Sequence, residues 1–162
     1  MKFSEFAKNV KEKIEDIYLL KGDDFFVYKK AISLLANACE ISMNDMEISV
    51  FDSENIDAQN LQNVLSQLPF CAKKRLVVLK NIAKITEQTK KVLNSYAASP
   101  SQQVCLALYA GKDDDDFSFL KSAVIVDCRR IEDAYIYKYI VSEVKNNGRN
   151  ISDLAVRALI EM

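Results

Sequence analysis

Arg75-Leu76-Val77-Val78-Leu79-Lys80 is the stretch on which the fold of this chain turns. Four consecutive branched apolar residues between two cations leave no polar face. The segment therefore reads as a strand covered on both sides, as in the middle of a parallel sheet. Similar runs stand at Val104-Cys105-Leu106-Ala107-Leu108-Tyr109, at Ala123-Val124-Ile125-Val126-Asp127-Cys128 and at Ile17-Tyr18-Leu19-Leu20. A further stretch, Met46-Glu47-Ile48-Ser49-Val50-Phe51, alternates apolar with polar side chains and predicts a half-covered strand.

Helical spacing separates these runs. Phe3, Phe6, Val10 and Ile14 mark an amphipathic first helix. Tyr28, Ile32, Leu35 and Cys39 mark a second, over about 24–41, capped by the aspartates after Gly22. Asp57 is placed to cap a third, whose apolar residues are Leu61, Val64, Leu65 and Leu68, with Val64 and Leu65 expected mainly in the core. A fourth runs over about 86–98 with Val92, Leu93 and Tyr96 facing the core, and Ser99-Pro100 ends it. Strands alternating with helices predict a five-stranded, parallel, doubly wound α/β sheet over residues 1–129. From 130 to 162 the pattern is helical only. Ile136, Ile140 and Val144 form one stripe, Asn146-Asn147-Gly148 is a stop, and Ser152 caps a second helix with Ile151 and Val156 placed as a staple. That helix reaches Met162 without a stop signal, so the pair is expected to be the start of a severed all-α domain.

Composition narrows the chemistry. The chain has 162 residues, is 49% hydrophobic, has a net charge of −1 and contains no histidine, which excludes histidine relays, histidine-ligated zinc and imidazole switches. Cys39, Cys71, Cys105 and Cys128 form no C-x-x-C pair and read as reduced, mostly buried thiols. No stretch of about 18 apolar residues is present, and charges fill the first segment, so a cytoplasmic protein without a membrane partner is expected.

Several motifs could carry chemistry. Gly22-Asp23-Asp24-Phe25-Phe26-Val27-Tyr28-Lys29 occupies the place of a phosphate loop, but Val27 replaces its second glycine and Tyr28 its lysine, and two carboxylates would face the phosphates. Asp23 and Asp24, with Asp127, are the residues a metal-binding receiver-like or other doubly wound signalling or enzyme domain would use; capping is the better reading of the pair. Asp113-Asp114-Asp115-Asp116 reads as a solvated turn. Lys73, Lys74, Arg75, Lys80, Lys84, Lys90 and Lys91 would serve a DNA-binding module, against the simpler reading of a charged rim. No catalytic, cofactor or metal residue is predicted.

One segment remains, Leu65-Ser-Gln-Leu-Pro-Phe-Cys-Ala-Lys-Lys-Arg-Leu-Val-Val-Leu-Lys80. A helix ends near Gln67, Pro69 fixes an exposed corner, and Phe70 precedes the buried strand. By pattern alone, Phe70 either folds back to close the helix against the sheet or stands out as an anchor for a partner's pocket.

Taken in order, Tyr18-Leu19-Leu20-Lys21-Gly22-Asp23-Asp24, Phe51-Asp52, Leu68-Pro69-Phe70-x-x-x-x-Arg75-Leu76-Val77-Val78-Leu79 and Val124-Ile125-Val126-Asp127-Cys128 resemble the delta subunit of the bacterial DNA polymerase III clamp loader. The resemblance implies an AAA+-like, P-loop-like domain with a degenerate phosphate loop over 1–129, and a partial helical lid over 130–162. It implies a subunit that is no enzyme by itself. Such a subunit binds the sliding clamp (beta) and the other loader subunits, gamma/tau and delta prime, and helps open the ring for loading onto primed DNA, while ATP hydrolysis belongs to partner subunits. It places Phe70 and Pro69 as the clamp-binding wedge, with Leu68 in support. The family often has leucine where Pro69 stands, so Leu68 is expected to supply the aliphatic contact.

Overall fold

The computed structural model describes residues 1–41, 46–111, 117–129 and 131–161. They divide into two compact units, Met1–Arg129 and Arg130–Met162.

In the first unit the elements run α1 (Phe3–Glu12), β1 (Ile17–Lys21), α2 (Phe25–Ala38), β2 (Ile48–Asp52), α3 (Ala58–Leu65), β3 (Arg75–Lys80), α4 (Glu87–Ala98), β4 (Val104–Gly111) and β5 (Val124–Asp127). All neighbouring strands are parallel, in the order β2-β3-β4-β1-β5. The three interior strands are all runs without a polar face; the fourth such run, at 123–128, forms the outer strand β5, because among the described residues no further strand pairs on its far side. Leu76 to Leu79 and Val104 to Leu108 are wholly buried, whereas the outer strands β2 and β5 leave Val50 and Ile125 exposed. Burial on both faces suits β-branched side chains and removes the polar alternation that one solvated face would need.

One face of the sheet presents Ile17, Leu19, Val77, Leu79, Leu106 and Leu108 to Leu61 and Leu65 of α3 and Leu93 and Ala97 of α4. The alternate residues of β1 and β4 look the other way, where α1 lies beside α2 and Phe6 meets Tyr18 edge-on at 5.5 Å. α1 stops at Glu12, short of Ile14, because Lys13 is already extended and the chain must turn into β1. The helices are capped where short polar residues stood. Asp57 Oδ1 accepts the Asn60 N–H at 2.7 Å, and Thr86 Oγ1 accepts the Thr89 N–H at 3.2 Å. α3 ends at Leu65, two residues before Gln67, with the Ser66 hydroxyl donating back to the Gln62 carbonyl at 2.8 Å.

In the second unit α5 (Asp133–Asn146) and α6 (Asp153–Glu161) are joined through Asp153, which accepts from the Tyr137 hydroxyl and the Arg157 guanidinium, both at 2.8 Å. The Ser152 hydroxyl caps α6 by accepting the Ala155 N–H at 3.2 Å. Among the described residues no helix is long and apolar enough to cross a membrane.

Candidate functional site: an exposed aromatic on a tethered loop

Parallel strands give the sheet two unlike edges, and the predicted motifs divide between them. At the carboxyl edge, where doubly wound sheets bind ligands, Gly22 follows β1. Its N–H donates to the Gly111 carbonyl at 2.9 Å, and the Cys128 N–H donates to the Lys21 carbonyl at 2.6 Å. The chain is packed so tightly here that a Cβ on Gly22 would lie 2.2 Å from the Cys128 carbonyl carbon. The Asp24 carboxylate then accepts the N–H groups of Phe26 and Val27 at 2.9 and 3.1 Å. These are the donors with which a phosphate loop's helix would hold an anion; here the chain's own carboxylate takes them. Val27 and Tyr28 are core residues, fully and nearly fully buried.

The other acidic candidates do not assemble. Asp127 is held by the Arg129 guanidinium at 2.9 Å, and that ion pair keeps its carboxyl below the usual range. Among the described residues no three histidine, cysteine, aspartate or glutamate side chains are placed to share a metal. Asp113 to Asp116 lie outside the described residues. The cationic cluster is split by β3 itself. Lys73, Lys74 and Arg75 stand at its amino end and Lys80 and Lys84 at or beyond its carboxyl end, roughly 17 Å apart at the rise of a strand. Lys74 and Lys84 are paired with Asp16 and Glu54.

The amino edge holds the segment between α3 and β3. Phe70 is 94% exposed and Leu68 68% exposed, while Pro69 is half-buried and Leu65 is in the core. The half-buried corner at Pro69 differs from the exposed one the sequence suggested. Leu68 lies beyond the helix expected to include it, because α3 ends at Leu65. The two exposed apolar side chains thus bracket the proline.

Beneath them the backbone is fastened at several points. Glu47, only 3% exposed, accepts the N–H groups of Phe70 and Cys71 on Oε1 at 2.5 and 2.9 Å. Its Oε2 faces Arg75 Nη1 at 3.6 Å, and Arg75 Nη2 donates to the Ser49 hydroxyl at 2.9 Å. The Lys73 N–H donates to the Cys39 carbonyl at 3.0 Å, Lys74 Nζ reaches Asp16 at 2.5 Å, and the Arg75 N–H donates to the Gln103 carbonyl at 2.9 Å. Asp16, Glu47 and Gln103 directly precede β1, β2 and β4 or lie one residue short of them, so the loop is stitched to the amino ends of three strands. The Cys71 N–H, then the Phe70 N–H and the Arg75 charge, hold the Glu47 carboxyl below its ordinary value against the cost of burial.

Reading the sequence missed Glu47. It stood as the polar partner in an alternating strand, and the only available signal was a charge preceding a run that is half apolar. Its neighbour Cys71 is exposed, whereas Cys39, Cys105 and Cys128 are buried. Next to the loop, Gln62, Leu65, Ser66, Lys91, Val92 and Tyr96 line a groove between α3 and α4.

A five-stranded parallel sheet of this order, with a first loop stripped of its phosphate-binding residues, defines a domain with the AAA+-like fold. The chain belongs to the DNA polymerase III delta subunit family: residues 18–129 match the family described as "DNA polymerase III, delta subunit". No curated protein sequence matches it significantly. Among solved structures it is similar to the Bacillus subtilis DNA clamp loader delta protein, with a TM-score of 0.72, 19% identity, and 98% of this chain over 51% of that one. A DNA polymerase III gamma subunit-related protein of Thermotoga maritima gives 0.65 and 15%, with 91% of this chain over 54% of that one. The RuvB Holliday junction branch migration motor of Thermotoga maritima gives 0.63 and 12%, with 98% over 53%. The chain thus spans about half the length of these structures.

Proposed function

We propose that this chain is the clamp-engaging part of a clamp-loader delta subunit, with Phe70 and Leu68 as the apolar side chains that enter a pocket on the sliding clamp and Pro69 as the corner between them. The observation that carries the reading is a 94% exposed phenylalanine whose own backbone is bonded to a buried carboxylate. A side chain so open contributes nothing to the core, and a backbone so restrained leaves little entropy to lose on docking. Burying it in a partner's pocket would contribute about 2–3 kcal/mol. This offsets part of the cost of parting a ring interface, and the α3–α4 groove beside it offers further contact area.

On this reading the subunit helps open the ring for loading onto primed DNA and leaves ATP hydrolysis to gamma/tau-type partners in an assembly that includes delta prime. Asp24 at the head of α2 supports that division, since its carboxylate occupies the N–H groups a triphosphate would need. Residues 130–162 would form part of a helical lid.

The test is binding of a bacterial sliding clamp to the wild type and to Phe70→Ala, with melting temperatures measured alongside. The expected result is loss of at least tenfold in affinity with melting unchanged; equal affinity would overturn the assignment of Phe70.

A further inference from the structure

We infer that Glu47 is the positioning residue of the anchor loop: one buried carboxylate accepts the N–H groups that open the segment from Phe70 to Arg75, faces the guanidinium at its end, and so sets where the Phe70 side chain is presented. The inference rests on the anchor reading of Phe70 given above.

Three observations carry it. The N–H groups of Phe70 and Cys71 converge on Oε1, and the Ala72 N–H also stabilises the ionised form, so successive backbone donors make a small anion-binding nest with the Glu47 carboxylate inside. At the other end of the segment, Arg75 faces Oε2 and is itself oriented by Ser49. Finally, the Glu47 carbonyl accepts the Leu76 N–H at 3.0 Å, which fixes the residue in the register of β2 on β3. The Phe70 end of the loop is therefore referenced to the rigid sheet through a single side chain.

The choice of residue is informative. A carboxylate withdrawn from water is costly, and a well-packed apolar side chain is commonly as good or better for stability at such a place. What an apolar side chain lacks is the ability to orient two or three N–H donors of an irregular segment. The ties elsewhere in the segment, Lys73 to Cys39 and Lys74 to Asp16, come after the exposed residue and do not fix its φ and ψ.

If the loop populates its docking geometry only in a fraction of molecules, the apparent Kd rises by the inverse of that fraction. This links two independent measurements on the protein in solution. Amide hydrogen exchange in the free chain reports how often Phe70, Cys71 and Ala72 are released; titration with a bacterial sliding clamp reports Kd. Glu47→Gln keeps the shape and one acceptor oxygen but loses the charge that holds the nest and Arg75 together, and Glu47→Ala removes both. We expect exchange at 70–72 to quicken about tenfold or more in Glu47→Gln, exchange at Val77 and Val78 to stay as in wild type, and Kd to rise by a factor similar to the local release. Glu47→Ala should move both further in the same direction.

Unchanged exchange at 70–72 would overturn the inference, as would a rise in exchange that leaves Kd unaltered. So would loss of protection spread evenly through β2 and β3, which marks a merely structural residue. Phe70→Ala is run in the same titration. Should it bind like wild type, the clamp reading alone fails, and exchange in Glu47→Gln still decides whether Glu47 orders the loop.

Discussion

Gly22 lies against the backbone of Cys128 so closely that any side chain would overlap it: a Cβ would stand 2.2 Å from the carbonyl carbon and 2.3 Å from the Arg129 nitrogen, at a φ of +143°. The turn leaving β1 is thus sealed by the end of β5. The glycine that a phosphate loop would use to admit a ligand here admits the protein's own main chain.

Gly22→Ala should therefore destabilise the first unit by at least about 2 kcal/mol, combining overlap with backbone atoms and an unfavourable φ. Urea titration of the two proteins checks this; a loss under about 0.5 kcal/mol would mean that the β5 end moves away at little cost.

Asp24→Ala leaves the N–H groups of Phe26 and Val27 without their acceptor, and a loss of about 1 kcal/mol is expected, in the usual range for a helix cap. Thermal melting measures it, with Asp24→Asn expected to recover most of the loss.

Phe70→Ala should change unfolding free energy by no more than about 0.5 kcal/mol, since the side chain is 94% exposed. Leu61→Ala, at a fully buried position on the inner face of α3, should cost about 2–5 kcal/mol in the same experiment. A large effect of Phe70→Ala would place the ring in the core and end its candidacy as an anchor.

Acid should uncouple the loop. The Glu47 carboxyl titrates below its ordinary 4.5 in the folded chain, so its contribution is complete above pH 4.5 and is lost as pH falls through the depressed folded value. Other carboxylates titrate in this range, so the informative quantity is the ratio of amide protection at 70–72 in wild type to that in Glu47→Gln. It should be constant from pH 7 to about 5 and shrink below the ordinary value; a ratio that persists undiminished to pH 2 would contradict the assignment.

Of the four thiols, Cys71 alone should react quickly with a maleimide under native conditions. Cys39, Cys105 and Cys128 are buried, and burial pushes the Cys128 thiol up to about 12, away from the reactive thiolate. Mass spectrometry after brief labelling should find one adduct in the wild type and none in Cys71→Ser.

What could be read from the sequence was what depends on near neighbours. The apolar runs of β1, β3 and β4 announce burial on both faces, and Asp24, Asp57 and Ser152 announce helix starts, because each signal is complete within a few residues. The segment around Phe70 could be located from Pro69 and the adjoining strand, but its two fates could not be told apart by pattern, since the deciding bond reaches back 23 residues to Glu47. The same limit applies to Gly22, whose constraint comes from Cys128, and to the end of α3, where capping by Ser66 stops the helix short of Leu68. The division of the lysines between opposite edges follows only once the strands are known to be parallel and β3 is placed between them.

The position of β1 also bears on how the chain is made. It pairs with β4 and β5, whose first residues, Val104 and Val124, are synthesised long after Lys21. At about 5–20 residues per second, Ile17 to Leu20 must wait on the order of ten seconds on the ribosome with neither neighbour in existence. The early strand is thus a sticky ribbon during translation, and α1 and α2, both complete long before β4, are the elements in place to shield it until the sheet can close.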